Sequence, residues 1–145
     1  MSASKSIHPI TVLLVEDNPD DVELTREAFA DARVRLELHV AQDGVEALEF
    51  LKNENNPRPE LIMLDLNMPR KDGRETLDEI KKDPKLRRIP VLVLTTSEAE
   101  AYILTAYDMN ANSYIVKPVD FDQFLNVMEI LEEFWFTVVK LPDDN

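Results

Sequence analysis

Four short apolar-rich runs in this chain each lead into residues able to do chemistry. Thr11 to Val15 runs into Glu16 and Asp17, Leu61 to Leu64 into Asp65, Val91 to Leu94 into Thr95, and Tyr114 to Val116 into Lys117. Runs this short suit strands buried on both faces of a parallel sheet, and open α/β sheets carry their chemistry beyond the carboxyl ends of such strands. Laid side by side, the four would bring three carboxylates, a hydroxyl and an ammonium group to one rim. That set suits a divalent cation and a phosphoryl group.

Mg²⁺ takes oxygen ligands in a tight octahedron, usually one or two carboxylates with waters and a phosphate oxygen. Asp17 and Asp65 can supply the carboxylates, and Glu16 can hold a bound water. With the charge of the incoming phosphoryl group neutralised in this way, an Asp65 oxygen can attack phosphorus. Thr95 can then donate a hydrogen bond to one phosphoryl oxygen, and Lys117 can pair with another. Taken singly, each residue has a plainer reading: a strand-end Asp is usually a cap or turn residue, and a lone Lys or Thr an ordinary surface group. Their convergence on one rim is what points to a site.

Stepping along the chain, strand-like runs alternate with amphipathic segments five times, which predicts a doubly wound (βα)5 sheet. Asn18-Pro19-Asp20 can cap a helix carrying Val22, Leu24, Ala28 and Phe29. Leu36, Leu38 and Val40 alternate with Glu37 and His39, a period of two that predicts a strand near the sheet edge with one wetter face. Gly44 opens a helix with Val45, Leu48 and Leu51, and the polar stretch from Asn53 to Pro59 ends it. Asp72-Gly73 marks a turn before a helix with Leu77 and Ile80, which Asp83-Pro84 stops. A stripe of Ala99, Tyr102, Ile103, Ala106 and Met109 predicts the next helix, and a last one should run from about Asp120 to about Val139.

The 145 residues are enough for one domain with its own core. Sixteen Lys and Arg against 29 Asp and Glu give a formal charge of −13, which disfavours nonspecific attraction to nucleic acid or anionic lipid. Protein partners are the expectation. The absence of cysteine excludes disulfides, thiolate metal sites and thiol nucleophiles and fits a cytoplasmic protein. No signal-peptide core stands at the amino terminus, and no apolar stretch approaches the roughly 18 residues of a membrane span. With Gly44 and Gly73 as its two glycines, the chain has no Gly-rich nucleotide loop.

The site residues sit in blocks that resemble the receiver domain of two-component response regulators: LLVEDN around Glu16 and Asp17, DLNMP at Asp65, LTT at Thr95 and YIVKP ending on Lys117 and Pro118. Thr95 lies 30 residues and Lys117 52 residues after Asp65, the spacing of compact receivers. The resemblance spans residues 10 to 133 and implies the flavodoxin-like fold with strand order 2-1-3-4-5, preceded by a tail over residues 1 to 9 and followed by a helix extension and tail over residues 134 to 145. It also implies that Asp65 accepts a phosphoryl group from a sensor histidine kinase. Asp17, Asp65 and the Asn67 main-chain carbonyl would be Mg²⁺ ligands, with Glu16 acting through water. Thr95 and Tyr114 match the switch residues, Lys117 matches the phosphate-pairing lysine, and the Lys117-Pro118 bond matches one that is cis in the family. The first acid is Glu where many members have Asp, and Thr96 fills a position that is often smaller. The blocks MPRKDGRE, RRIPVLVLTTS and EEFWF further resemble the stand-alone response regulators of cyanobacterial and other bacterial phytochromes, which implies a phytochrome-type kinase as partner.

Two other readings stay open from the sequence. A Mg²⁺-dependent aspartyl-phosphate phosphohydrolase of the haloacid dehalogenase type needs a second Asp two residues after its nucleophile, where this chain has Asn67. A degenerate receiver serving as a constitutive binding module would take up no phosphate. His8 and His39 read as solvent-facing and Arg87-Arg88 as a solvated loop. The last helix is different: Phe121, Phe124, Leu125, Met128, Leu131 and Trp135 make one stripe for the sheet. Val127, Ile130 and Phe134 lie beside it, and Phe136, Val138 and Val139 extend the apolar surface. One sheet cannot cover so wide an arc: either the helix bends over its own core, or, the reading preferred, a homodimer forms through Val127, Ile130, Phe134, Trp135 and Phe136.

Overall fold

Val, Ile and Leu dominate the predicted strands, and all five of those strands pair in one parallel sheet. The structure, a computed structural model, describes residues 10–30, 36–66, 73–95 and 113–116; for Thr95 and for residues 113–116 it describes the strand backbone. The elements run β1 (Ile10–Val15), α1 (Pro19–Ala30), β2 (Leu36–Ala41), α2 (Gly44–Lys52), β3 (Leu61–Asp65), α3 (Gly73–Lys82), β4 (Val91–Thr95) and β5 (Ser113–Val116). The sheet order is β2-β1-β3-β4-β5, as expected from the resemblance. The Ala99 to Met109 stripe, the last helix with its aromatic residues, His8, Thr96 and the Lys117-Pro118 bond lie outside the described residues.

Alternation along the strands sorts the core into two layers. Leu13, Val15, Ile62, Leu64, Val91 and Val93 pack with Ala47 and Leu48 of α2 and with Leu77 and Ile80 of α3. The intervening residues Val12, Leu14, Leu61, Met63, Leu92 and Leu94 face the other way, where Phe29, Val22 and Leu24 of α1 cover them. A parallel strand needs this double cover, because both of its faces are apolar. β2 departs from the pattern: most of its residues are half-buried and Glu37 is exposed, as a strand at the sheet edge allows. His39 is less exposed than the alternation predicts. Its Nε2 lies 2.9 Å from Glu37 Oε2, and its ring is tilted against Phe50 at 5.2 Å between centroids. The aromatic neighbour on α2, out of reach of a local pattern, is what draws it in.

Helices α1 and α2 are each started by local chemistry. Asn18 Oδ1 accepts from the backbone N–H groups of Asp20 (2.8 Å) and Asp21 (3.3 Å). Pro19 opens α1 at the position that needs no donor, and Asp20 and Asp21 favour the helix dipole. For α2, Asp43 Oδ1 accepts from Glu46 N–H at 2.9 Å, and Glu46 Oε1 accepts in return from Gln42 N–H at 2.9 Å. Such reciprocal capping stabilises a helix start by about 1 kcal/mol.

At the other end of α3, Lys81 Nζ donates to the carbonyls of Arg87 (3.0 Å) and Ile89 (3.1 Å), tying the helix to the entry of β4. Burial lowers the pKa of this ammonium group from 10.5, whereas a hydrogen bond to Asp78 and the Asp78 charge raise that of the exposed Lys82. Because the folded value of Lys81 lies below the unfolded one, the unfolded chain binds more protons between the two. The penalty is carried in full below the folded pKa and is relieved as pH climbs toward 10.5. We expect side-chain NMR to show Lys81 losing its proton at lower pH than Lys82; the reverse order would contradict the burial of its head group.

Candidate functional site

Strand register determines which strand ends meet. Val15 stands opposite Leu64 and Ala41, and Asp65 stands opposite Leu94. Glu16, the residue after β1, is therefore level with Asp65. Thr95 is opposite Val116 across β4 and β5, so these two strands end level with each other. Tyr114, opposite Val93, sits one pair deeper than Leu94–Ile115.

The carboxylates that the sequence singles out do converge. Glu16, Asp17 and Asp65 each offer an oxygen, and the three oxygens lie within 4.8 Å of one another. Glu16 and Asp65 are each 2% exposed, while Asp17 is exposed. Backbone contacts hold the pair from both sides. Glu16 N–H donates to the Ala41 carbonyl at 2.9 Å, Leu66 N–H donates to the Leu94 carbonyl at 3.1 Å, and Glu16 Oε2 accepts from Asn18 N–H at 3.2 Å. The acid at the strand end thus also braces the cap of α1.

Two ionised carboxylates within 4.8 Å repel by about 3.5 kcal/mol or more at an effective dielectric constant of ~20, before hydrogen bonds offset it. A divalent cation reverses that balance. Ligand oxygens about 2.1 Å from Mg²⁺ lie roughly 3 Å apart when adjacent and roughly 4.2 Å apart when opposite. Three oxygens within 4.8 Å span that range with small adjustments. The all-oxygen donor set suits a hard cation, and the exposure of Asp17 leaves one side for water and a substrate oxygen. The residues fit a divalent ion.

Asn67 and Lys117 lie outside the described residues, and of Thr95 and Tyr114 the strand positions are known. Gly73 stands against the strand end that carries Asp65. Its sequence setting marks a turn, but the structure makes it the first residue of α3, with its N–H donating to the Leu66 carbonyl at 3.1 Å. The scarcity of glycine in this chain was the available signal.

With this fold and this acidic rim in hand, a family model adds the class: the response regulator receiver domain matches residues 12–129. The chain belongs to that family. Among individual proteins it is similar to Response regulator Rcp1 of Synechocystis sp., with 42% identity over 144 residues, covering 97% of this chain and 98% of the relative. The crystal structure of the Mn²⁺-bound form of Rcp1 covers 92% of this chain and 99% of its own, with a TM-score of 0.80 and 43% identity. That of the phosphorylated cyanobacterial phytochrome response regulator RcpA covers 93% and 99%, with a TM-score of 0.82 and 45% identity. Among the described residues, no helix is long and apolar enough to cross a membrane.

A cation held at this acidic rim would stabilise the folded chain by mass action. Mn²⁺ or Mg²⁺ at about a hundred times Kd is expected to add about 2.7 kcal/mol to the unfolding free energy, measured by calorimetry. Asp17→Ala should lose most of that gain. No gain in the wild type, or an equal gain in the variant, would remove the site.

Proposed function

We propose that this chain is a single-domain response regulator whose Asp65 accepts a phosphoryl group from the phosphohistidine of a sensor kinase, in a Mg²⁺-dependent step. The observation that carries this reading is the meeting of Glu16, Asp17 and Asp65 at the carboxyl rim of a 2-1-3-4-5 sheet. Membership of the receiver family and similarity to a phosphorylated relative support it.

The ion, when bound, neutralises charge on the incoming phosphoryl oxygens. An Asp65 carboxylate oxygen then forms the new O–P bond as the N–P bond to the donor imidazole breaks, and the imidazole nitrogen leaves with the electron pair. Asp17 and Asp65, with the Asn67 carbonyl, would hold the ion, and Glu16 would act through a water. Lys117 pairs with one phosphoryl oxygen and Thr95 donates to another. The movement of Thr95 and Tyr114 toward the new anion changes the surface offered to partners. Asn67, standing where a phosphohydrolase needs a second acid, favours an acceptor over a turnover enzyme. The chain works in the cytoplasm as a switch with slow self-dephosphorylation.

Similarity to the cyanobacterial phytochrome response regulator RcpA supports a phytochrome-type kinase as the donor's source. Signalling then passes by protein contact, without nucleic acid or membrane, and the apolar pattern of the sequence toward its end supports a homodimer through Val127, Ile130, Phe134, Trp135 and Phe136.

Incubation with acetyl phosphate should add one phosphoryl group to the intact mass with Mg²⁺ present and none without it. Absence of the adduct, or its survival in Asp65→Asn, would overturn the assignment. Sedimentation should give a dimer for the wild type and a weaker one for Trp135→Ala; a monomeric wild type would exclude the dimer.

A further inference from the structure

The first turn of α3 touches the strand that carries Asp65 more closely than any side chain allows. A Cβ added at Gly73 would stand 2.6 Å from the Asp65 carbonyl oxygen, 2.6 Å from the Leu66 Cα and 2.9 Å from Leu66 Cδ2. Ordinary carbon contacts are about 3.5–4.0 Å, so roughly an ångström must be found somewhere. A flexible side-chain tip could yield, but two of the three obstacles are backbone. Gly73 is helical, so its need is for the missing Cβ rather than for an unusual φ.

Neither backbone has room to give. β3 lies between β1 and β4, and its exit is held by the hydrogen bond from Leu66 N–H to the Leu94 carbonyl. Moving β3 would carry Asp65 away from Glu16 and Asp17. Moving α3 instead would stretch the Gly73–Leu66 hydrogen bond and lift the buried Thr76, Leu77 and Ile80 off the sheet. The two ends of the β3–α3 connection are thus locked together at the backbone of the proposed phosphoacceptor.

We infer that Gly73 is a positioning residue for Asp65: the bare Cα lets α3 press on the Asp65–Leu66 backbone and fixes the carboxylate at the distance that cation binding requires. This rests on the proposed role of Asp65. Residues that orient metal ligands from behind commonly change affinity by about ten- to hundredfold when altered. Linkage makes the coupling reciprocal, so a bound cation must also tighten the docking of α3.

Mn²⁺ titration by electron paramagnetic resonance tests it. Gly73→Ala should bind Mn²⁺ about tenfold or more weakly, whereas Ile80→Val, a core truncation further along the same helix, should bind as the wild type does. Equal affinities in the two variants would reduce Gly73 to a stability role and overturn the inference. Rescue of Gly73→Ala by adding Leu66→Ala would also overturn it, by locating the conflict in a side chain. Should Gly73→Ala fail to fold, amide exchange in the wild type decides. At Mg²⁺ of about ten times Kd, exchange of the Gly73 N–H should slow by about tenfold, with that of Asn53 at the end of α2 unchanged. Unaltered Gly73 exchange would overturn the inference, whereas a wild type that binds no cation would instead remove the reading of Asp65 beneath it.

Discussion

Everything at the functional rim follows from holding like charges together. Glu16 and Asp65 are almost wholly buried, and their oxygens lie within 4.8 Å of each other and of Asp17. Mutual repulsion of ionised acids works against such an arrangement, and the packing of the sheet works for it. That force comes from apolar cover on both faces of β1 and β3, whose residues are buried throughout. Shedding two or three Leu- or Ile-sized contacts would cost about as much as the repulsion, and β1 and β3 together make many more.

The same constraint bears on the proposed switch. Acids this close would gain from a cation between them, and such a gain would set the free energy of a filled site apart from that of an empty one. A switch requires that differential interaction and nothing more exotic. Rigid strands position the acids, and the chain leaves the rim at Thr95 and at Val116, the ends of adjacent strands. A change in charge at Asp65, as proposed, would act close to where those strands end.

Much of this was legible in the sequence because parallel strands announce themselves as short apolar runs. The residues beyond them, Glu16, Asp17 and Asp65, could be named from their position alone. The edge character of β2 was visible in the alternation of Leu36 to Val40, and the cap of α1 in Asn18-Pro19-Asp20. What stayed hidden involves contacts between distant segments. His39 read as solvent-facing because nothing near it in sequence shows Phe50 against its ring. Nothing in the sequence marks Lys81, whose head group meets the carbonyls of Arg87 and Ile89 beyond the end of its helix. Gly73 read as turn punctuation, and only the approach of α3 to the β3 backbone shows why a Cβ is excluded.

The central claim is chemical: a phosphoryl group becomes bonded to the Asp65 carboxylate. Borohydride reduces an acyl phosphate to an alcohol, so treating the phosphorylated protein and mapping its peptides would mark the residue that carried the group. The account predicts homoserine in place of aspartate at position 65, dependent on Mg²⁺ during phosphorylation. Homoserine at position 17, or phosphate that resists reduction and maps to a histidine, would contradict it.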